Sequence, residues 1–256
     1  MKITVITVCF NAGKTIGKTI QSVLEQDYNN IEYIVIDGLS SDNTMAILEK
    51  YFDKISILKS ESDNGMYDGI NKGISLATGD VIGILNADDV FASKDILSKI
   101  ALAFNTNSKI DAVLGDVSFV NQNDRLVRYY SSAGWNPEKF VWGFMPAHPG
   151  FYCKKKIFEK LGNYRTDFDI AADYELLIRF FKVNSLEYLY LPLLMVKMNL
   201  GGKSTNGFKS TKKINQEIKK ACRLNHLYTN YFMLYSKYFW KIFEFFPIVN
   251  LKSPNQ

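Results

Sequence analysis

The sequence predicts an α/β protein: a mostly parallel central sheet flanked by helices, followed by a C-terminal helical extension. Three observations carry this. Short apolar, β-branched runs alternate with segments of helical period over about the first 105 residues. Each of those runs leads into polar residues: Thr7 and Asn11, Asp37, Asp63, then Asn86, Asp88 and Asp89. Beyond residue 200 the composition turns basic and aromatic.

Residues 2–10 (KITVITVCF) are almost continuously apolar, as a strand buried on both faces should be. Asn11-Ala12-Gly13 breaks the run. Ile16, Ile20, Val23 and Leu24 then recur at helical spacing and predict a helix to about Gln26. Residues 31–37 (IEYIVID) are a second strand, and Gly38-Leu39-Ser40-Ser41-Asp42 is a turn with helix-cap chemistry. Met45, Ile47, Leu48 and Tyr51 carry the next helix. Residues 55–59 are a third strand, 67–77 a short helix closed by Gly79, 81–86 a fourth strand and 96–104 another helix. Residues 112–121 and 125–130 read as paired strands around a turn at Gln122-Asn123-Asp124. Residues 135–151 are aromatic and loop-like and contain His148. Trp135, Trp142 and Phe144 suit either a ligand-stacking wall or core. Residues 155–161 form a helix ended by Gly162. The acid-rich stretch 167–173 feeds a helix carrying Leu176, Leu177, Phe180 and Phe181, and 186–191 is the last strand.

Size and composition exclude several classes. With 256 residues, 47% of them apolar, the chain can bury a full core as one large domain or one domain plus an appendage. No run of 18 uncharged apolar residues predicts a membrane span. The apolar run after Lys2 is short and lacks a small-residue cleavage site, so a cytoplasmic protein is expected. Cys9, Cys153 and Cys222 are odd in number and far apart, forming neither a disulfide framework nor a zinc spacing. Neither a dinucleotide-binding GxGxxG after the first strand nor a GxxxxGK[ST] phosphate loop occurs. Residues 201–256 carry ten Lys and Arg against two acids, so the net charge of +5 comes from the tail and the first 200 residues are net acidic. Nucleic acid is not an expected partner.

The stretch 81–89 (VIGILNADD) is the centre of the functional reading. An apolar strand ends in two adjacent carboxylates, and ligands of open α/β sheets bind at the carboxyl ends of strands. Two neighbouring carboxylates beside a low-dielectric sheet are costly without a cation or water. Mg²⁺ or Mn²⁺ shared with a phosphate-bearing ligand takes only one or two protein carboxylates. The alternative is that Asp88 starts a turn and Asp89 caps the helix beginning near Ser93.

Five stretches then match a family in order and spacing: 4–11 (TVITVCFN), 33–44 (YIVIDGLSSDNT), 63–73 (DNGMYDGINKG), 77–80 (ATGD) and 85–89 (LNADD). Through them the chain resembles inverting nucleotide-sugar glycosyltransferases of family 2, with the GT-A fold, a mostly parallel Rossmann-like sheet. The likeness covers roughly residues 1–190 and is nearest to bacterial enzymes of surface-polysaccharide synthesis. The resemblance implies that Thr7, Asn11 and Asp37 line the base and ribose pocket, and that Asp63, Asp68 and Asn71 flank the nucleotide. It places Asn86, Ala87 and Asp88 at the family's Asp-x-Asp position, with Asp88 as metal ligand and Asp89 supporting it. It aligns Asp173 with the catalytic base, for which a helix-N-terminal acid is the plainer reading. His148 is a further candidate metal ligand or acceptor contact, or a structural histidine. Four positions depart from the pattern: Asn86 stands for the first Asp, Gly38 for a second Asp after strand two, Ile70 for an Arg near the diphosphate, and Ala172 for a Glu before the base.

The resemblance thus implies a glycosyltransferase domain over residues 1–200, with a nucleotide-sugar half (1–105) and an acceptor half (106–200), followed by the extension 201–256. The implied partners are a nucleotide sugar, with a UDP-sugar expected, and a saccharide or lipid-linked saccharide acceptor. In the extension, residues 208–224 form a basic helix and 227–249 an aromatic stretch, a pairing that suits an anionic membrane surface. Its alternative is a helical hairpin packed on the catalytic domain or on a second subunit of a homodimer. A non-catalytic binding protein on the same fold and a sugar-phosphate nucleotidyltransferase are the competing functions.

Overall fold

Strands that are apolar on both faces need cover on both, and the computed structural model supplies it. It describes residues 1–121, 123–199 and 207–241, except the side chains of 207–209, 240 and 241. Strands β1 (Ile3–Cys9), β2 (Ile31–Asp37), β3 (Ile57–Ser60) and β4 (Val81–Ile84) lie in the order β3-β2-β1-β4 and pair in parallel. The second half adds β5 (Val90–Phe91), β6 (Ala112–Val120), β7 (Leu126–Tyr130), β8 (Phe151–Lys154) and β9 (Tyr188–Asn199). The sheet continues from β4 through β8, β6 and β9 to β5, with β7 paired to β6. The result is a mixed sheet whose first half, β1–β4, is wholly parallel.

Alternation along each strand sends side chains to two cores. Ile3, Val5 and Cys9 of β1 meet α1 (Ile16–Leu24), α2 (Thr44–Leu48) and α4 (Ile96–Thr106) on one face. Ile6 and Val8 meet α3 (Met66–Leu76) on the other, a core that also takes in α5 (Lys155–Leu161) and α6 (Ala172–Leu177). Trp135 belongs to that second core, edge-on to Phe140 and Phe181, whereas Trp142 is exposed.

The extension forms α7 (Gly207–Leu224) and α8 (Tyr231–Lys241). Ile218, Ala221 and Cys222 of α7 and Leu234 of α8 enter the same core, so these helices pack on the sheet-bearing part of the chain. Trp240, Phe243, Phe245 and Phe246 of the aromatic stretch lie outside the described side chains.

Four expectations need correction. The strand expected at 186–191 is β9, which runs on to Asn199. Pro192 interrupts its pattern but sits where the β6–β9 register shifts, between Leu114↔Tyr190 and Asp116↔Leu194, and a bulge tolerates proline. The helix expected through Tyr51 narrows to a 3₁₀ segment over Glu49–Lys54, and α6 widens into a π-helical turn over Ile178–Val183. Asp89 caps no helix: α4 starts at Ile96, behind Asp95.

Candidate active site

The register sets the tips of the parallel strands level. Cys9 of β1 pairs with Asp37 of β2, and Asp37 with Ser60 of β3. The Asp37 carboxylate is fully buried at this edge. Its Oδ2 accepts from the Ser40 backbone N–H at 3.0 Å and the Ser60 hydroxyl at 2.7 Å, and its Oδ1 from the Ser40 hydroxyl. Asn11, in the left-handed conformation that Asn tolerates, ties the same loop from the other side. Its Oδ1 accepts from the Ser41 N–H at 2.9 Å, and its own N–H donates to Ser40 Oγ at 2.8 Å. Asp37 and Asn11 therefore fix the 38–42 loop. Thr7 lies wholly beneath the surface and accepts the Tyr33 hydroxyl.

Asp63 sits beside this loop. A Cβ built on Gly38 would lie 2.7 Å from Asp63 Oδ2, so the glycine leaves room for the carboxylate at the tip of β2. Asp63 Oδ1 accepts from the Gly65 N–H, and Asp68 Oδ2 from the Asn64 N–H, which together shape the 63–65 turn ahead of α3. Asn71 makes a two-way bond with the Tyr164 backbone, donating to its carbonyl at 2.8 Å and accepting from its N–H at 3.0 Å.

Beyond β4, the Leu85 N–H still bonds Ile6, and Asn86 and Asp89 close a tight turn with Ala87 at its buried side. Asp89 is 1% exposed. Burial, then the neighbouring charge of Asp88, pushes its carboxyl well above the usual range, against donors from Asn86 and Asn199. Asp88 is only partly buried, and burial raises its carboxyl too. Among the described residues, no other residue donates a hydrogen bond to its carboxylate. A carboxylate half out of water, unpartnered, with a buried acid behind it is what a cation would neutralise. No group of three or more His, Cys, Asp and Glu side chains gathers here or elsewhere among the described residues. A cation here would take its remaining ligands from a diphosphate and water, as Mg²⁺ and Mn²⁺ commonly do.

Strand β8 pairs antiparallel with β4, Gly83 opposite Tyr152. Carried on, that register brings the 3₁₀ turn His148–Gly150 to the Asn86–Asp88 end of β4. There His148 Nδ1 lies 3.3 Å from Asp173 Oδ2. Asp173 stands in the first turn of α6, its side chain 15% exposed. Burial raises its carboxyl, while His148 and the Tyr174 N–H pull it down. The structure thus brings Asp173 and His148 together and sets them at the edge that carries Asp88.

Two side chains that were not singled out from sequence hold the loop ahead of Asp173. The Tyr67 hydroxyl donates to the Ile170 carbonyl. From α7, the Glu217 carboxylate accepts the N–H groups of Asp169, Ile170 and Ala171 at 3.1, 2.9 and 2.9 Å. The available signal was that Glu217 is the only acid in a helix with six Lys and Arg. A cleft of about 340 Å³ opens between the 64–68 turn and the 166–170 loop, with Lys213 of α7 at its wall.

Comparison with known proteins identifies the family and the fold. The model of the family described as glycosyl transferase family 2 matches residues 4–168. An uncharacterised glycosyltransferase of Mycobacterium tuberculosis is 32% identical over 182 residues, covering 69% of this chain and 68% of that protein. The Escherichia coli UDP-Glc:alpha-D-GlcNAc-diphosphoundecaprenol beta-1,3-glucosyltransferase WfgD is 26% identical over 216 residues, covering 82% and 83%. Among solved structures, S. aureus TarS 1-349 in complex with UDP-GlcNAc superposes with a TM-score of 0.65 at 17% identity, over 86% of this chain and 66% of that one. The Pyrobaculum calidifontis mannosyltransferase PcManGT in complex with GDP-Man and Mn²⁺ gives a TM-score of 0.65 at 20% identity, over 87% and 64%. This chain therefore spans just under two thirds of the length of both structures.

Proposed function

We propose, from the premise that the chain belongs to glycosyltransferase family 2, that it moves a sugar with inversion from a UDP-sugar to a hydroxyl of a lipid-linked saccharide, as a step in bacterial surface-polysaccharide synthesis. The observation that carries this is the Asp88 carboxylate, partly buried and bonded by no residue other than itself among the described residues, at the edge that also holds the Asp173–His148 pair. Asp88 would hold a divalent cation, Mg²⁺ or Mn²⁺, which supplies Lewis-acid stabilisation of the departing diphosphate. Asp89 shapes the turn that presents Asp88. Asp173 takes the proton from the acceptor hydroxyl as that oxygen attacks the anomeric carbon from the face opposite the nucleotide, and the sugar is transferred with inversion. Base assistance of this kind contributes roughly 10²–10⁴-fold. Asp63, packed over Gly38, offers a carboxylate to the base or ribose at the tip of β2, and Asn86 offers an amide to the same ligand. Thr7, Asn11, Asp37, Asp68 and Asn71 act by shaping the loops that receive it. Uridine is favoured by the donor named for WfgD and the ligand named for TarS, and the lipid-linked acceptor by the diphosphoundecaprenol named for WfgD. The exposed face of α7 and α8 meets the cytoplasmic membrane surface where such an acceptor lies.

Calorimetric titration of UDP, GDP, dTDP and CDP, each with Mn²⁺ and then with EDTA, tests the donor site. UDP is expected to bind with Mn²⁺ and to lose at least tenfold in affinity with EDTA or in Asp88→Ala. If no nucleotide binds, the chain is not a nucleotide-sugar transferase, and a non-catalytic role takes its place.

A further inference from the structure

We propose that Glu217, on the C-terminal helix α7, is a positioning residue for the general base, so that α7 is a working part of the active site. The inference rests on Asp173 being that base. The loop leading to Asp173 has three consecutive backbone N–H groups, those of Asp169, Ile170 and Ala171, and all three donate to the one Glu217 carboxylate. The Ile170 carbonyl faces the other way and accepts the Tyr67 hydroxyl of α3. The loop is therefore pinned between α7 and the helix that follows the Asp63 turn. No regular secondary structure covers residues 168–171 to satisfy these groups locally, and the part-buried N–H groups of Ile170 and Ala171 would be costly to leave unpaired.

Glu217 does not act by bulk charge. Its neighbours on the same face of α7, Lys213 and Lys220, one helical turn before it and one after, pair with Asp169 and Asp167 of the same segment. Lys220 also donates to the Asp167 carbonyl at 2.6 Å. These lysines bring the basic helix onto the acidic stretch. Only the carboxylate takes the backbone N–H groups, and its oxygens fix the path of the two residues that enter α6. A displacement of about 1 Å at a reacting group can cost on the order of 10²-fold in rate, so the anchor bears directly on turnover.

The test compares wild type, Glu217→Gln, Glu217→Ala and Asp173→Asn as full chains. UDP release from UDP-glucose and UDP-GlcNAc is measured with a synthetic GlcNAc-diphospholipid as acceptor, alongside UDP affinity by calorimetry and amide exchange at residues 169–171. Glu217→Ala is expected to lower kcat by tenfold to a hundredfold. KM for the donor and UDP affinity should stay within twofold, and exchange at Ile170 and Ala171 should quicken at least tenfold. Glu217→Gln, whose amide oxygen still accepts, should fall between it and wild type, and it carries the test alone if the alanine form does not fold. Asp173→Asn should lose turnover and keep UDP binding. Turnover of both Glu217 variants within twofold of wild type, with Asp173→Asn inactive, overturns the positioning role and leaves the base in place. A parallel loss of UDP affinity in Glu217→Gln overturns it too, because Glu217 would then support the whole fold. If Asp173→Asn turns over like wild type, or neither turns over, the base assignment fails and the positioning role falls with it.

Discussion

The 3.3 Å approach of His148 Nδ1 to Asp173 Oδ2 joins two residues 25 positions apart in the chain. Burial raises the Asp173 carboxyl, and the facing charges adjust it: His148 lowers it and Glu217 raises it. Two buried tyrosines, Tyr67 and Tyr164, also face Asp173, and its charge contributes to raising theirs. If Asp173 is the base proposed here, it must be ionised to accept a proton, and activity should be lost as pH falls through its pKa. Removing His148 removes a lowering influence, and the carboxyl rises. Replacing His148 with Ala should therefore move the acid limb of kcat/KM to higher pH, with UDP affinity within twofold of wild type, in a pH–rate series. An unmoved limb would separate His148 from the chemistry. At this scale the sequence is uneven as a guide. The strand-tip carboxylates are legible because an apolar run that stops at Asp88 and Asp89 has few structural uses. Glu217 is not legible, because its partners are backbone N–H groups 46 to 48 residues away, and no side-chain pattern records them.

Elements were read best where burial is two-sided. Strand β2 occupies Ile31–Asp37 as its β-branched run predicts, because both faces need apolar residues and only Glu32 interrupts the pattern before Asp37. Strand β9 was read short because its pattern is broken by Pro192, which the register shift against β6 absorbs. The opposite edge of the parallel sheet, away from the site, shows how these elements are tied. Glu32 of β2 lies opposite Thr4 of β1 and accepts from Thr4 Oγ1 at 2.7 Å, Lys2 Nζ at 2.9 Å, and the Thr78 N–H and hydroxyl at 2.7 and 2.5 Å. Burial opposes its charge, yet these donors outweigh burial and hold the carboxyl down at about 2 from an ordinary 4.5. A carboxyl lowered by folding stabilises the native state above its unfolded pKa, and that contribution is lost as pH falls through the folded value. The shift corresponds to about 3 kcal/mol. Glu32→Gln should lower the unfolding free energy by about that amount at pH 7. Urea titrations repeated toward pH 2 should show the gap to wild type closing from about pH 4.5 downward. A gap that does not depend on pH would assign the loss to packing.

For the whole molecule, α7 and α8 bear on how the proposed site would meet an acceptor. On α7, Lys213, Glu217 and Lys220 turn inward to the base loop, and Lys212, Lys219 and Arg223 point to solvent at helical spacing. On α8, Leu234 is buried and Lys237 is 2% exposed, lying over Gly143, while Phe232 is 81% exposed and Tyr231 and Tyr235 are nearly half exposed. A helix that buries a lysine and shows phenylalanine to solvent is inverted for an aqueous surface. Tyr228, just before it, is 77% exposed, and Lys219 Nζ lies 4.5 Å from the Tyr231 ring centroid, joining the basic and aromatic stripes into one face. That face matches the headgroup layer of an anionic bilayer, where aromatic rings sit at the boundary and each surface cation contributes about 1 kcal/mol. No helix among the described residues is long and apolar enough to cross a membrane, so the contact would be peripheral. The full chain should float with vesicles containing phosphatidylglycerol and stay unbound with phosphatidylcholine alone. Changing Lys212, Lys219 and Arg223 together to Gln should weaken that binding on the order of 10²-fold, from three cations at about 1 kcal/mol each. Phe232→Ser should weaken it while leaving UDP binding intact. If the chain instead ignores both vesicles and sediments as a dimer that Phe232→Ser dissociates, the inverted face of α8 is a subunit interface. The acceptor lipid would then have to reach the proposed base Asp173 without α8 at the membrane.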